Sequence, residues 1–225
     1  MRLRAEYSVG SDLRFLSNLD MMKLMARALR RAEIPFALSE GFNPHIRLSL
    51  GTVLPVGLWS KCEYFDLELE QEISCSEFIE KLNLCLPPDV KITACIEIDT
   101  APALMKSINC SGYSFIVNTP LDVAEQWRDT ILKKDELVVK SRGKKKDLDK
   151  NLRPGIFKIE VNQWQNFAII DIWGSIGEPL NVRYDELTDL LVLTGINKDD
   201  ILDVYRSGNY IRVKDELFTP LEKVK

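Results

Sequence analysis

Hydrophobic positions alternate with polar ones at the start of the chain and then change to a helical spacing. The alternation over residues 2–9 predicts a half-buried strand whose inward side chains are Leu3, Ala5, Tyr7 and Val9. Ser17 is suited to cap a following helix, with the acidic Asp20 three residues later. The spacing predicts that this helix ends before Pro35 and buries one stripe of side chains, namely Leu19, Met22, Met25, Ala26, Leu29 and Ala32.

The rest of the first half continues with strands and one more helix. Strands are predicted over residues 46–50, 64–69 and 90–98, and a helix over 74–84. The resulting order is β-α-β-β-α-β. This order is typical of a ferredoxin-like sandwich, in which two helices cover one face of a four-stranded antiparallel sheet.

A similar order follows in the second half of the chain. The predicted elements are a strand at 113–117, a helix at 121–133, a strand at 136–140, a hairpin of 157–161 and 167–173 around Asn162-Gln163, a helix at 184–193 and a strand at 205–213. We therefore expect an α+β fold of two tandem ferredoxin-like (βαββαβ) lobes with antiparallel sheets. The lobes would comprise residues 1–99 and 112–225.

Composition limits the classes of protein that fit this pattern. The 225 residues are 45% hydrophobic and 28% charged, which is ordinary for a globular chain with enough material for a core. The net charge is −4, so any site for a polyanion must be a local basic patch on an acidic body. No long apolar span or signal peptide is visible, which predicts a cytoplasmic protein without a membrane segment.

The cysteine and histidine content argues against a metal site. There are five cysteines and one histidine, with no Cys-x-x-Cys pair. Since no spacing resembles that of zinc ligands, we expect reduced, mostly buried thiols and neither a metal nor another cofactor.

The predicted first helix carries an unusual concentration of positive charge. Lys23, Arg27 and Arg31 are one turn apart, with Arg30 beside them, and Arg47 follows later in the sequence. Several cations on one face suit the oxygens of phosphate groups. A solvated helix face, with Arg27 and Arg31 paired to Glu33 or Asp20, would produce the same pattern.

The only histidine lies in a loop of defined shape, Gly41-Phe42-Asn43-Pro44-His45. Phe42 offers a plane for base stacking, Asn43 is a polar neighbour, and His45 could donate to a phosphate or transfer a proton. In a purely structural interpretation, Phe42 fills a gap between lobes and His45 forms one local hydrogen bond. His45 is the only candidate for a catalytic residue.

A third basic feature spans residues 140–153, with seven basic residues and two acidic ones. Arg142, Lys144, Lys145 and Lys146 could form an arm that orders on a phosphate backbone. The alternative is a solubilising loop that discourages pairing between strand edges. The chain has no phosphate-binding glycine loop, no dinucleotide motif and no H-E-x-x-H, so no motif specifies an enzyme.

Several motifs resemble those of the radical-SAM-linked protein family of bacteria. They are Arg14-Phe15-x-Ser17-x-Leu19-Asp20, Arg27-Ala28-x-Arg30-Arg31-Ala32-x-x-Pro35, Ser39-x-Gly41-Phe42-Asn43-Pro44-His45 and Leu54-Pro55-x-Gly57-x-x-Ser60-x-x-Glu63, with fainter ones at Asp149-x-x-Leu152-Arg153-Pro154 and Arg206-x-Gly208-x-Tyr210-Ile211. The family usually has histidine where this chain has Asn18. The resemblance implies an accessory role beside a separate radical SAM enzyme, because the chain lacks the Cys-x-x-x-Cys-x-x-Cys motif that binds the cluster.

The basic patches and the resemblance together lead to one main hypothesis. The protein would be an RNA-binding accessory module that presents tRNA or rRNA to a radical SAM enzyme. The start of the first helix, within tandem lobes, is also similar to the repeat-processing endoribonucleases of CRISPR systems. Two alternative functions fit the same residues. One is a subunit whose basic helix docks on the radical SAM enzyme, and the other is a metal-independent endoribonuclease that uses His45 as general base.

Overall fold

The computed structural model describes residues 1–143 and 146–223. The fold is α+β, with a mostly antiparallel sheet and few helices, as expected from the sequence. The chain forms two compact units. Unit 1 contains Met1–Ile108 and the C-terminal residues from Gly208 onward, and unit 2 contains Asn109–Ser207.

Unit 1 follows the β-α-β-β-α-β order that the sequence predicts. Its elements are β1 (Arg2–Val9), α1 (Asn18–Arg31), β2 (Leu48–Leu50), β3 (Trp59–Glu68), α2 (Cys75–Cys85), β4 (Val90–Glu97) and a short α3 (Leu104–Ser107). The strand β1 lies between β4 and β3 and is antiparallel to both, with Ala5 opposite Phe65 and Cys95. The strand β2 pairs with β3.

The core of unit 1 lies between this sheet and its two helices. The predicted inward residues of β1 are all buried, and Met25 and Leu29 of α1 and Phe78 and Leu82 of α2 belong to the same cluster. Burial of these apolar side chains is the main favourable term in folding of the unit.

The predicted buried stripe of α1 is wrong in part. Leu19 is 62% exposed, whereas Met21 and Ala28, which the prediction omitted, are buried. Met25 and Leu29 belong to both the predicted and the observed buried face. Apolar residues are frequent enough along this segment for either face to be buried. Packing against the sheet decided between two neighbouring faces of the helix, which the local spacing could not do.

Unit 2 and the returning C-terminal segment supply the remaining elements. They are β5 (Cys110–Val117), α4 (Leu121–Leu132), β6 (Val138–Lys140), β7 (Asp149–Asn151), β8 (Ile156–Trp164), β9 (Phe167–Ser175), α5 (Tyr184–Leu193), β10 (Ile201–Val213) and β11 (Glu216–Phe218). Unit 2 has the strand order β10-β5-β9-β8, and β6 and β7 form a separate two-stranded ribbon. The chain passes from unit 2 back to unit 1 within β10, after Ser207.

The hairpin of unit 2 turns later than the sequence predicts. Trp164 pairs with Phe167, so the turn contains Gln165 and the next residue, and Gln165 adopts a φ of 56°. Asn162 and Gln163 lie inside β8, opposite Ile169 and Ala168. No helix in residues 1–143 or 146–223 has the length and apolar character needed to cross a membrane.

Candidate nucleic-acid interface

The start of α1 is held by the cap that the sequence predicts. The Asp20 N–H donates to Ser17 Oγ at 3.2 Å, and the Ser17 hydroxyl donates to the Asp20 carboxylate at 2.6 Å. The hydrogen bond from Ser17 holds the pKa of Asp20 below its usual value, and the charges of Lys23 and Arg27 lower this pKa further. The cap therefore fixes the beginning of the helix that carries the basic residues.

The four basic side chains of α1 are exposed on one face and form the cationic face, defined as Lys23, Arg27, Arg30 and Arg31. Within the described residues, no carboxylate oxygen lies within 4.0 Å of their charged nitrogens. The surface pairs with Glu33 or Asp20 that the sequence allowed are not formed. The positive charge of this face is consequently available to an external anion.

Two of these guanidinium groups are oriented by contacts that leave their charge uncompensated. Arg31 Nη2 donates to the carbonyl of Cys85, at the end of α2, over 2.8 Å. The guanidinium of Arg30 lies 5.9 Å from the centre of the Phe36 ring. Partial orientation of a long side chain lowers the entropy that it loses on binding.

An open cleft of about 450 Å³ lies beside the cationic face. It is lined by Arg27 and Arg31 together with Leu24, Leu86 and Pro87. Phosphate oxygens placed there would meet two guanidinium groups, which bind such oxygens through paired N–H donors.

The loop that contains the histidine is the tip of a short hairpin, which we call the 36–47 hairpin. Its stem is joined by a bridge between Leu38 and Ile46 and by a hydrogen bond of 2.8 Å from Ser39 N–H to His45 O. At the tip, Gly41 has a φ of 114°, a conformation that favours glycine. Phe42 is fully exposed, so its ring can stack on a base.

His45 is tied to the stem of the same hairpin. Its Nδ1 lies 2.9 Å from Ser39 Oγ, and its backbone N–H donates to the same oxygen at 3.1 Å. The side chains of His45 and Asn43 are both exposed. The hydrogen bond to Ser39 matches the structural interpretation of His45. Because the His45 side chain is also exposed, it is accessible to an RNA ligand.

A second, smaller cleft lies at the base of the hairpin, and we call it the hairpin cleft. Its volume is about 200 Å³, and its polar lining consists of Arg2, His45, Arg47, Ser49, Asp66 and Glu68. Arg47 pairs with Glu68 at 2.8 Å, and Arg2 pairs with Asp66 at 2.6 Å. Arg47, predicted as a phosphate ligand, is thus already bound to a carboxylate.

Four residues of the hairpin cleft were not predicted as site residues from the sequence: Arg2, Ser49, Asp66 and Glu68. The only local signal was the spacing of Asp66 and Glu68, which places both carboxylates on one face of β3. The pairing of β2 with β3 sets Ser49 opposite Asp66, and no sequence pattern indicated this register.

Asp66 is also part of a buried charge cluster. Arg4 is 0% exposed and Asp66 is 3% exposed, and Arg4 donates to the two carboxylate oxygens at 2.8 and 3.1 Å. Further Arg4 donors reach the carbonyls of Pro102 and Pro220. Because of these contacts, the position of the Asp66 carboxylate in the hairpin cleft is fixed.

In the basic segment at 140–153, in unit 2, only some of the cations are free to bind an external anion. Arg142 forms two hydrogen bonds with Asp189, at 2.8 and 3.1 Å, and its backbone N–H donates to Glu186. Lys146 is exposed, and Lys144 and Lys145 lie outside the described residues. Arg142 therefore has a partner within its own unit.

Two apolar side chains are exposed at the start of α1. Phe15 is 75% exposed, and Leu19 is four residues before Lys23, on the line that continues through Arg27 and Arg31. Asn18 is exposed as well. Among the described residues, no group of three His, Cys, Asp or Glu side chains could hold a metal ion.

Comparisons with known proteins identify a family. No curated protein matches the chain. The crystal structure of an unknown protein from Galdieria sulphuraria covers 92% of this chain and 96% of its own, but at 11% identity and a TM-score of 0.26 the similarity supports no argument. Residues 2–183 match the model of a family described as an uncharacterized protein conserved in bacteria (DUF2344). Since this match spans most of the chain, the protein belongs to that bacterial family.

Proposed function

We propose that the protein is an RNA-binding accessory module that holds structured RNA, such as tRNA or rRNA, for modification by a separate radical SAM enzyme. The observation that carries the RNA assignment is the cationic face of α1. Its four positive side chains have no carboxylate partner among the described residues, in a chain whose net charge is −4. An acidic protein with a cluster of cations that form no ion pair within the described residues has a local site for a polyanion.

The contact would be made mainly with the sugar-phosphate backbone. Arg27 and Arg31 line the cleft beside the cationic face, where each guanidinium could bind phosphate oxygens through paired N–H donors. Such binding releases condensed counterions, so the affinity falls steeply as salt is raised. Backbone contacts position an RNA without selecting its sequence, as suits a module that presents RNA to another enzyme.

The strand order of each unit supports a more specific fold. We infer that each unit is a ferredoxin-like lobe. The strand order β4-β1-β3-β2 in unit 1 and the order β10-β5-β9-β8 in unit 2 support this inference. The radical SAM partner is inferred from the motif resemblance, and a cytoplasmic location is consistent with the free thiols of Cys62, Cys75, Cys85 and Cys95.

The test removes the cationic face and measures binding as a function of salt. We expect the triple variant Arg27→Gln, Arg30→Gln and Arg31→Gln to bind labelled tRNA far more weakly than the native protein at low salt. The slope of log K against log salt should become shallower by about 2–3, because each phosphate contact contributes a little under one unit. Fluorescence anisotropy across a salt series measures both quantities.

A matched control removes the same charge elsewhere. Lys133, Lys134 and Lys198 are exposed residues of unit 2, and their triple change to Gln alters the net charge by the same amount. This control should keep most of the affinity and slope. Equal losses of affinity in the two triple variants would show that only net charge matters. Unchanged binding of tRNA by the α1 variant would refute RNA binding by the cationic face.

One observation favours a second candidate function, docking on the radical SAM enzyme. Phe15 and Leu19 expose apolar surface next to the cationic face, and aromatic anchors beside arginines are frequent in protein interfaces. In this case the partner should co-purify with the protein after nuclease treatment. The double variant Phe15→Ser and Leu19→Ser should abolish co-purification, whereas a complex that nuclease disrupts would be bridged by RNA.

A further inference from the structure

We propose that the 36–47 hairpin and the hairpin cleft form a site for an unpaired nucleotide of the bound RNA. This inference rests on the proposed RNA-binding function and deepens it, because it names the class of RNA. The preferred ligand would carry a single-stranded overhang, loop or bulge next to a helical region. Two independent features of unit 1 lead to this assignment, the exposed Phe42 and the composition of the cleft.

The polar groups of the hairpin cleft suit a base better than a phosphate. The guanidinium groups of Arg2 and Arg47 are each paired with a carboxylate, so the cleft is lined by both donors and acceptors. A phosphate would face the negative charges of Asp66 and Glu68. The edge of a nucleobase carries both donors and acceptors, and it could bind to both kinds of group at once.

The two carboxylates of the cleft differ in their freedom to bind a ligand. Asp66 is buried and held by Arg2 and Arg4. The Glu68 side chain is 43% exposed, and its ion pair with the equally exposed Arg47 is of a kind that contributes little to stability. Glu68 can therefore exchange that pair for an amino group of a base, as carboxylates do when they accept from cytosine N4.

The tip of the hairpin supplies a stacking surface. Phe42 is fully exposed, and the hairpin stem is held by its cross-strand bridge and by the hydrogen bonds between Ser39 and His45. Aromatic side chains stack on bases of any sequence, but only where the base is not already stacked inside a duplex. A paired helix could bind to the cationic face, whereas a neighbouring unpaired base is required to use Phe42.

The experiment compares two RNAs that differ only in an unpaired segment. One is a short blunt-ended duplex, and the other is the same duplex with an overhang of adenosines, cytidines or uridines. The overhang should tighten binding roughly 5- to 150-fold, the range expected for one stacked base. Adenosine and cytidine should be preferred to uridine, since uracil has no exocyclic amino group for Glu68.

Variants of Phe42 and Glu68 test which residue causes the tighter binding of the overhang and which causes the preference among bases. Phe42→Ala should bring the ratio of blunt to overhang dissociation constants close to one, and Phe42→Trp should restore the ratio. Glu68→Met should remove the preference for cytidine over uridine. Glu70, an exposed carboxylate two residues further along, provides the matched control, because Glu70→Met should retain that preference.

The possible failures can be told apart. Equal affinity for the blunt and overhang RNAs would overturn the nucleotide site while leaving RNA binding by the cationic face intact. Equal losses on both RNAs after Phe42→Ala would overturn it as well. If neither RNA binds at low salt, the proposed function and this inference both fail.

Discussion

At the scale of single residues, arginines of this chain differ mainly in their surroundings. Arg4 is completely buried with Asp66, Arg47 shares an exposed pair with Glu68, and Arg27 lies at the surface without a carboxylate partner among the described residues. Arg4 is structural, because a buried charge needs its partner. Arg27 is suited to bind an external anion. The sequence shows the same residue type in all three cases.

The buried pair leads to a prediction about stability. Asp66→Ala would leave the guanidinium of Arg4 buried without its carboxylate, so we expect a loss of about 3–5 kcal/mol in the free energy of unfolding. Urea denaturation followed by circular dichroism measures this loss. The exposed pair of Glu77 and Lys81 is the control, and Glu77→Ala should cost roughly 0.3–0.5 kcal/mol. Similar small losses in both variants would show that the burial of Asp66 has no energetic consequence.

At the scale of elements, α1 shows which features of a helix are readable from sequence. Its capping residue and its basic stripe were predicted, because both depend on short-range spacing. Its buried face was assigned to Leu19 instead of Met21, because the choice depends on the sheet and α2. The sequence therefore located the cations on the helix. Only the structure showed that they have no carboxylate partner in residues 1–143 and 146–223.

The cap of α1 allows a test by pH. Ser17→Ala should reduce the free energy of unfolding by about 1 kcal/mol at neutral pH, since an N–H of the first turn loses its acceptor. The pKa of Asp20 should rise toward 3.8, because the Ser17 hydroxyl is the main cause of its lowering. A carboxyl group whose pKa is lower in the folded state adds stability above its unfolded pKa and loses it as pH falls through the folded pKa. The contribution of native Asp20 should therefore be complete well above pH 3.8 and decrease as the pH falls below 3.8 toward the lower folded pKa.

A carboxyl NMR titration measures the Asp20 pKa, and urea denaturation at neutral and acid pH measures the stability. Ser74 caps α2 in the same way and provides the control, because the Glu77 N–H donates to Ser74 Oγ at 3.2 Å. Ser74→Ala should cost a similar free energy and leave the Asp20 pKa unchanged. An unchanged Asp20 pKa in Ser17→Ala would show that the hydroxyl does not stabilise the carboxylate.

At the scale of the whole molecule, the chain does not divide at a single point. From the sequence we expected lobes at 1–99 and 112–225, and in the structure unit 1 also includes the residues from Gly208 onward. These residues supply the Pro220 carbonyl that accepts from Arg4 and the amide of Asn209 that donates to Glu63. Unit 1 thus depends on a segment that is far away in sequence.

This arrangement predicts how fragments of the chain behave. Residues 1–108 alone should be markedly less stable than unit 1 in the full chain, because Arg4 and Glu63 lose partners inside a buried region. Joining residues 208–223 to this fragment through a flexible Gly-Ser linker should restore much of the stability. Limited proteolysis and thermal unfolding measure both. Equal stability with and without the added segment would contradict the role assigned to it.

The sequence by itself determined the α+β class, the order of elements in unit 1, the cap of α1 and the positions of the cations and of the exposed loop. These features follow from turn residues, caps and hydrophobic spacing, all of which act over a few residues. Tertiary structure decided which face of α1 is buried, that Arg4 and Asp66 form a buried pair, and that the base of the hairpin forms a cleft. Each of these depends on strand register and on segments such as Pro102 and Pro220 that meet only in the folded chain. Burial and charge pairing are set by such long-range contacts, so a local pattern cannot specify them.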